Sequence, residues 1–287
     1  MKKRLLMLSL AAILVLSAFV LVGCNQEEEA PDLDAGSDSN VETHIALADV
    51  VSGDGLTITV ATEPTYPPFQ SREGGEVVGF DIDLVKAIAE ELGAEVEFTF
   101  LEWDALLTAL SADSRDFDFA ASAMTIRPDR AETILFSDPY FVSVQALAVP
   151  SDSSVNSIAD VGEGFRVAVQ NGTTGHIFAT ENLEEKGAVV RPYQGGQECF
   201  LALASGEVDG VIIDLPVAVN QAALGDFDLK TILIPQADQE HFGLAFGKSR
   251  TDLAYAVNDA LAAIIADGTY AEIYARWIDA DNDPVMP

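Results

Sequence analysis

Basic side chains are scarce in this 287-residue chain, where 15 Lys and Arg stand against 47 Asp and Glu for a formal charge of −32. A nucleic acid is held by matching its phosphates with cations, so this composition argues against nucleic acid as a partner. The surplus acid reads as a solvated surface, with weak steering of cationic ligands as a secondary effect. Histidine is sparse too: His44, His176 and His241 lie far apart without metal-ligand spacing. G-x-S-x-G, H-E-x-x-H and C-x-x-C are missing, and no metal, cofactor or catalytic residue is expected. There are only two cysteines, Cys24 and Cys199, which leaves no room for a disulfide framework. Cys199, at helical spacing with Leu201 and Leu203, reads as a small core residue.

Long apolar runs are confined to the start. Lys2-Lys3-Arg4 is a basic n-region, residues 5–22 are apolar, and Leu21-Val22-Gly23-Cys24 resembles the lipobox of a bacterial lipoprotein. Residues 1–24 are therefore expected to be a lipoprotein signal peptide with Cys24 as the lipidation site. A membrane-spanning anchor is the rival, since the run is only just long enough to cross a bilayer. Either way the folded part is expected outside the cytoplasm, tethered to the cell membrane. Residues 25–54 hold nine acidic residues and no Lys or Arg, so they cannot bury enough apolar surface to offset the cost of ordering. They read as an extended flexible linker, with the apolar patch Ile45-Ala46-Leu47-Ala48-Asp49-Val50-Val51 as a possible docking element.

From residue 55 onward strands and helices alternate, which points to α/β layers. Strands are expected over residues 56–61, 95–100 and 118–121. Asp81 is placed to cap a helix carrying Val85, Ile88, Ala89 and Leu92, and Gly93 to stop it. A further helix carries Leu106, Leu107 and Leu110. The rhythm restarts after residues 144–150, with strands over 165–169, 189–193, 210–214 and 231–235 and helices near Thr173, Gly196 and Pro216. A return strand follows at 242–246. The last long helix starts at Asp252 with Leu253, Val257, Ala260, Leu261, Ile264 and Ile265 on one face.

The stretch Ser122-Ala123-Met124-Thr125-Ile126-Arg127-Pro128-Asp129-Arg130 leaves a strand and enters a helix, with Pro128 in the first turn. Small residues there let a ligand approach the backbone, and Arg130 offers a planar fork suited to a carboxylate. An arginine at a helix start can equally pair with a surface carboxylate. The flanks are Thr62-Glu63-Pro64-Thr65-Tyr66-Pro67-Pro68-Phe69, Gly79-Phe80-Asp81-Ile82-Asp83-Leu84 and Glu102-Trp103-Asp104 before it. Phe136-Ser137-Asp138-Pro139-Tyr140, Gln170-Asn171-Gly172-Thr173-Thr174 and Ile213-Asp214-Leu215-Pro216 follow. In this order and spacing, from about residue 56 to 277, the chain closely resembles the family 3 extracellular solute-binding proteins, the polar amino-acid receptors of ABC importers.

The resemblance implies a two-lobed α/β fold of the type II periplasmic-binding-protein kind. Each lobe would be a mostly parallel sheet flanked by helices. Residues 55–147 and 241–287 would form lobe 1 and residues 148–240 lobe 2, joined by crossings near residues 145–149 and 240–244. It also implies an L-amino-acid ligand in the interlobe cleft, delivery to importer membrane subunits on hinge closure, and a monomer. Arg130 with the N–H of Thr125, and Thr173 and Thr174 at a helix start, would hold the α-carboxylate. Asp214 would meet the ammonium, helped by Ser122 and Ala123, while Tyr66 and Trp103 would stack on the ligand side chain. Glu63 and Gln170 would read its distal group, and an acid beside two aromatics suits arginine, lysine or ornithine.

Duller roles stand beside these: helix caps for the threonines and Asp214, core positions for the aromatics, a solvated loop charge for Glu63. A glutamine-type receptor remains open, as do a cyclohexadienyl-dehydratase-like enzyme and a sensory binding module on the same fold.

Overall fold

The computed structural model describes residues 57–278, apart from 236 and 238. The expected signal peptide, Cys24 and acidic linker lie outside the described residues. Two five-stranded sheets dominate. The opening strand β1 (Thr57–Thr62) pairs in parallel with β4 (Glu95–Phe100), beyond the small hairpin of β2 (Ser71–Glu73) and β3 (Glu76–Val78). Its other neighbour is β5 (Phe119–Ala120), also parallel. Helices α1 (Phe80–Glu91) and α2 (Trp103–Ser111) cover this first sheet, with Leu84, Val85, Ile88, Leu106 and Leu110 buried. Helix α1 ends where Gly93 turns at φ +66°, as its position in the sequence predicts.

The short helix α3 (Pro128–Ala131) and strand β6 (Ile134–Phe136) follow, then β7 (Phe141–Ser143) leads out of the first lobe. The second sheet starts with β8 (Gln145–Pro150) and has β9 (Arg166–Gln170) between β10 (Val189–Tyr193) and β11 (Gly210–Asp214), in parallel with both. Antiparallel pairing of β8 with β11 and with β12 (Leu229–Leu233) completes it. Helices α4 (Thr174–Leu183), α5 (Gly196–Ala204) and α6 (Leu215–Leu224) pack on its faces. Cys199 is buried in α5, where burial pushes its thiol up to about 12.

The chain returns through β13 (Glu240–Phe242), which pairs antiparallel with β7, and β14 (Ala245–Gly247) inserts between β5 and β6. Helices α7 (Thr251–Ala266) and α8 (Thr269–Trp277) then pack against α1. The face predicted for α7 is the buried one at Leu253, Val257, Ala260, Leu261 and Ile264.

Three expectations need correction. Residues 242–246 are not one strand, because the chain changes partner at Gly243 and Leu244, from β7 to β5 and β6. Gln145 to Val149 is not a free crossing. It belongs to the second sheet, and the paired crossing strands are β7 and β13. Asp81 does not cap α1: Gly79 holds the cap position at φ +136°, where a Cβ would sit 2.2 Å from the Phe69 carbonyl oxygen. The Asp81 carboxylate instead turns into the first lobe, fully buried.

Beneath the crossing, Phe69, Phe141 and Phe242 interlock, with ring centroids 5.0, 5.3 and 5.6 Å apart. Phe69 meets the other two edge-on while Phe141 and Phe242 stack, and both geometries add to the area they bury. They seat β7 and β13 on the first lobe.

Candidate functional site

The ends of β1, β5, β9 and β11 meet between the lobes and line a small cleft with a free volume of about 30 Å³. Such crevices beyond the carboxyl ends of parallel strands are the usual ligand sites of open α/β sheets. All eleven residues expected at a ligand site line it: Glu63, Tyr66, Trp103, Ser122, Ala123, Thr125, Arg130, Gln170, Thr173, Thr174 and Asp214.

The charged groups are separated. Arg130 is placed by the Pro128 turn, and its Nη1 donates to the Thr125 carbonyl at 3.0 Å while Nη2 donates to the Gly172 carbonyl at 3.2 Å. Its guanidinium lies 5.2 Å from the Trp103 ring centroid, and burial lowers its pKa to about 10. It makes no ion pair among the described residues.

Asp214 ends β11 and is buried. The Tyr66 hydroxyl, Ser143 Oγ at 2.9 Å and Gln145 Nε2 at 3.2 Å all donate to it. Burial, followed by the nearby Glu240 carboxylate, raises its pKa. Glu63, which follows β1, is only 3 % exposed. Gln170 Nε2 donates to its two oxygens at 3.0 and 2.9 Å and Thr65 Oγ1 to one at 3.1 Å, yet burial still raises its pKa to about 7. A charge that is out of water without a counter-ion favours its neutral form until a cation arrives.

Thr173 and Thr174 open α4, but their hydroxyls are already engaged. Thr173 Oγ1 donates to the Gln170 carbonyl and accepts the His176 N–H, an N-cap, while Thr174 Oγ1 donates to Glu240 at 2.9 Å. What the helix start offers an anion is its backbone N–H groups and dipole. Ser122 Oγ accepts the Glu63 N–H at 3.3 Å and Gln70 Nε2 at 3.2 Å. Ala123 stands at φ +46°, a conformation strained for a side chain with a Cβ, and its N–H donates to Asp81 Oδ2 at 2.7 Å. Asp81, with the Tyr140 hydroxyl on its other oxygen at 2.9 Å, pins that turn in place.

Sequence reasoning missed Gln70, Gln145, Gly175, Ile212 and Ile213 in the lining, and the acids Asp81 and Glu240 behind it. Gln145 and Glu240 carried one signal, their place in the segments expected to cross between lobes. Gly175 has a packing reason, since a Cβ there would lie 2.8 Å from Gln145 Oε1. Gln70 Oε1, Trp103 Nε1 and Gln145 Oε1 are buried atoms of lining residues without a hydrogen-bond partner among the described residues. Native proteins seldom strand such atoms unless something else engages them.

Two α/β lobes joined by two crossing strands, with a charge-lined cleft between them, define a solute-binding architecture. Residues 58–280 match the model of the bacterial extracellular solute-binding proteins, family 3, and the chain belongs to that family. It is 35 % identical over 225 residues to the ABC transporter arginine-binding protein 1 of Escherichia coli K12, covering 77 % of this chain and 90 % of that one. It is 31 % identical over 286 residues to the ABC transporter glutamine-binding protein GlnH of Bacillus subtilis 168, covering 98 % and 99 %. An ancestral arginine-binding protein bound to arginine superposes with a TM-score of 0.72 at 36 % identity, over 77 % of this chain and 98 % of that one.

Proposed function

We propose that the protein is an extracytoplasmic receptor for a cationic L-amino acid, arginine first, which it delivers to an ABC importer. The observation that carries this is charge placement. Among the described residues the half-buried guanidinium of Arg130 has carbonyl hydrogen-bond partners only, while the buried carboxylates of Asp214 and Glu63 are free to meet the α-ammonium and the distal group of a cationic ligand.

Arg130 and the N–H groups of Thr125, Thr173 and Thr174 take the α-carboxylate, a fork onto two oxygens backed by a helix start. Asp214 takes the α-ammonium, with Ser122 and Ala123 closing from the first lobe. Trp103 and Tyr66 flank the aliphatic stem, and Glu63 with Gln170 receives a guanidinium or ammonium. An acidic side chain would meet Glu63 and is rejected. A glutamine amide could still donate to Glu63, which keeps a glutamine-type ligand as the second reading, in line with the glutamine-binding relative.

With β8 in the second sheet, the boundary expected at residue 147 moves to 144: the parts divide as lobe 1 over residues 55–144 and 241–287 and lobe 2 over 145–240, a monomer carried on the linker at 25–54 and a lipid on Cys24 after loss of residues 1–24. The chain acts by binding, without turnover. Calorimetric titration of the full chain with each L-amino acid, followed by recovery of the ligand, tests the reading. Arginine should bind with the lowest Kd and be recovered unchanged. Absence of binding by arginine, lysine and ornithine overturns it, and conversion of a prephenate-like acid would point to an enzyme.

A further inference from the structure

Glu240 lies on the returning crossing strand β13, opposite Ser143 of β7, and is 8 % exposed. Three side chains from three parts of the chain converge on its carboxylate. Thr125 Oγ1, from the turn before α3 in the first lobe, donates to Oε2. Thr174 Oγ1, from the first turn of α4 in the second lobe, donates to the same Oε2 at 2.9 Å. Gln145 Nε2, at the start of β8, donates to Oε1 at 2.9 Å and also reaches Asp214 at 3.2 Å. Among the described residues Glu240 forms no ion pair. A buried carboxylate held by neutral donors alone loses a full charge-assisted bond whenever a donor departs, so all three are held tightly. One oxygen atom thus binds both lobes.

A second consequence concerns the cavity. Thr125 and Thr174 line it, and each has only one hydroxyl hydrogen. With both hydrogens spent on Glu240, neither hydroxyl can donate to an anionic ligand group, and recognition of a carboxylate passes to Arg130 and to backbone N–H groups. Glu240 itself does not line the cavity. It acts through residues that do.

We propose that Glu240 is an interlobe clasp: a positioning residue on the hinge that joins Thr125 to Thr174 through one carboxylate oxygen and sets the separation of the lobes in the ligand-free protein. The affinity consequence rests on the amino-acid-receptor reading, whereas the separation does not. With the clasp in place the ligand-free chain is biased towards closure and a ligand has less of the closing free energy to supply, a linkage worth about 5- to 150-fold in typical coupled systems.

The test is small-angle scattering on the ligand-free full chain beside calorimetric titration with arginine, for wild type, Glu240→Ala, Glu240→Gln and Thr174→Val. Glu240→Ala should enlarge the radius of gyration of the ligand-free protein and raise the arginine Kd about tenfold. The radius of the arginine-saturated form should stay at the wild-type value. Glu240→Gln keeps an acceptor for both hydroxyls and should restore most of the compactness, which a generic loss of packing would not allow. Thr174→Val removes one arm at the surface of the cavity and should open the ligand-free form without threatening the fold, so it decides the matter if Glu240→Ala does not fold. An unchanged ligand-free radius in both Glu240→Ala and Thr174→Val overturns the clasp. If the wild-type chain does not bind arginine, the receptor reading fails while the scattering comparison still judges the clasp.

Discussion

The Tyr66 hydroxyl donates across the cleft to Asp214 Oδ2, joining a residue that follows β1 to the residue that ends β11. The bond has two effects. It holds an acid that burial pushes towards its neutral form ready to accept a cation, and it fixes the position of the Tyr66 side chain in the cavity lining. Tyr66→Phe keeps the ring and removes the donor. The arginine Kd should rise about tenfold, the worth of one charge-assisted bond, whereas Asp214→Ala should abolish binding in calorimetry.

At the distal end the charge of Glu63 should decide between ligands. Glu63→Gln leaves the shape and most of the hydrogen-bonding capacity but removes the counter-ion for a guanidinium. Arginine affinity should fall about 100- to 1000-fold, the scale for breaking a buried ion pair, with a much smaller loss for glutamine. Titrations with both ligands on both proteins give the ratio. Equal losses would show that Glu63 does not face the ligand side chain.

The α-carboxylate can be isolated by changing the ligand. Agmatine is arginine without that group, so wild type should prefer arginine by about 100-fold or more, and Arg130→Ala should erase most of the preference by weakening arginine alone. If the variant still distinguishes the two, Arg130 is not the carboxylate anchor.

Acidity should weaken binding through Glu63. Its pKa stands at about 7 without ligand, so below that pH a proton competes with the cationic side chain for the same oxygens. The arginine Kd should climb by up to about tenfold per pH unit on going from pH 7 to pH 5. In Glu63→Gln the dependence should shrink to what Asp214 contributes.

Stability of the ligand-free protein should move the other way. Asp81 rises from 3.8 to about 7 on folding, because burial outweighs its bonds to the Ala123 N–H and the Tyr140 hydroxyl. The native state therefore holds its proton where the unfolded chain has released it. This contribution is complete below the unfolded pKa and is lost as pH climbs through about 7, at up to about 1.4 kcal/mol per pH unit. Asp81→Asn should flatten that slope in thermal melts between pH 4 and 8. It should also weaken binding if it frees the strained Ala123 turn.

Local chemistry marked the strand–helix junctions of this site, and the family resemblance supplied the roles of the residues on them. Pro128 before Arg130, Gly172 before two threonines, and Asp214 before Leu215-Pro216 are punctuation marks that place a side chain or an N–H at the junction of strand and helix. The positions that escaped have no local mark. Glu240 meets Thr125 from 115 residues away, and Asp81 meets Ala123 from 42. An acid at a helix start looks the same in sequence whether it caps the helix or turns inward to hold a distant turn. The crossing was displaced for a related reason: Gln145-Ala146-Leu147-Ala148-Val149 is as apolar as any hinge strand, and only the pairing with β11 and β12 assigns it to the second sheet.

The insertion of β14 between β5 and β6 imposes an order on assembly. Ala120 and Phe136 are both bonded to a strand that lies beyond the whole second lobe in the chain. As the polypeptide leaves the ribosome, the first sheet stays in two pieces until residues 245–247 have emerged, whereas every strand of the second sheet is in hand by residue 233. The lobe that is made first is thus the lobe that can be finished last, and any product cut short within the second lobe carries open strand edges ready to pair with a neighbour.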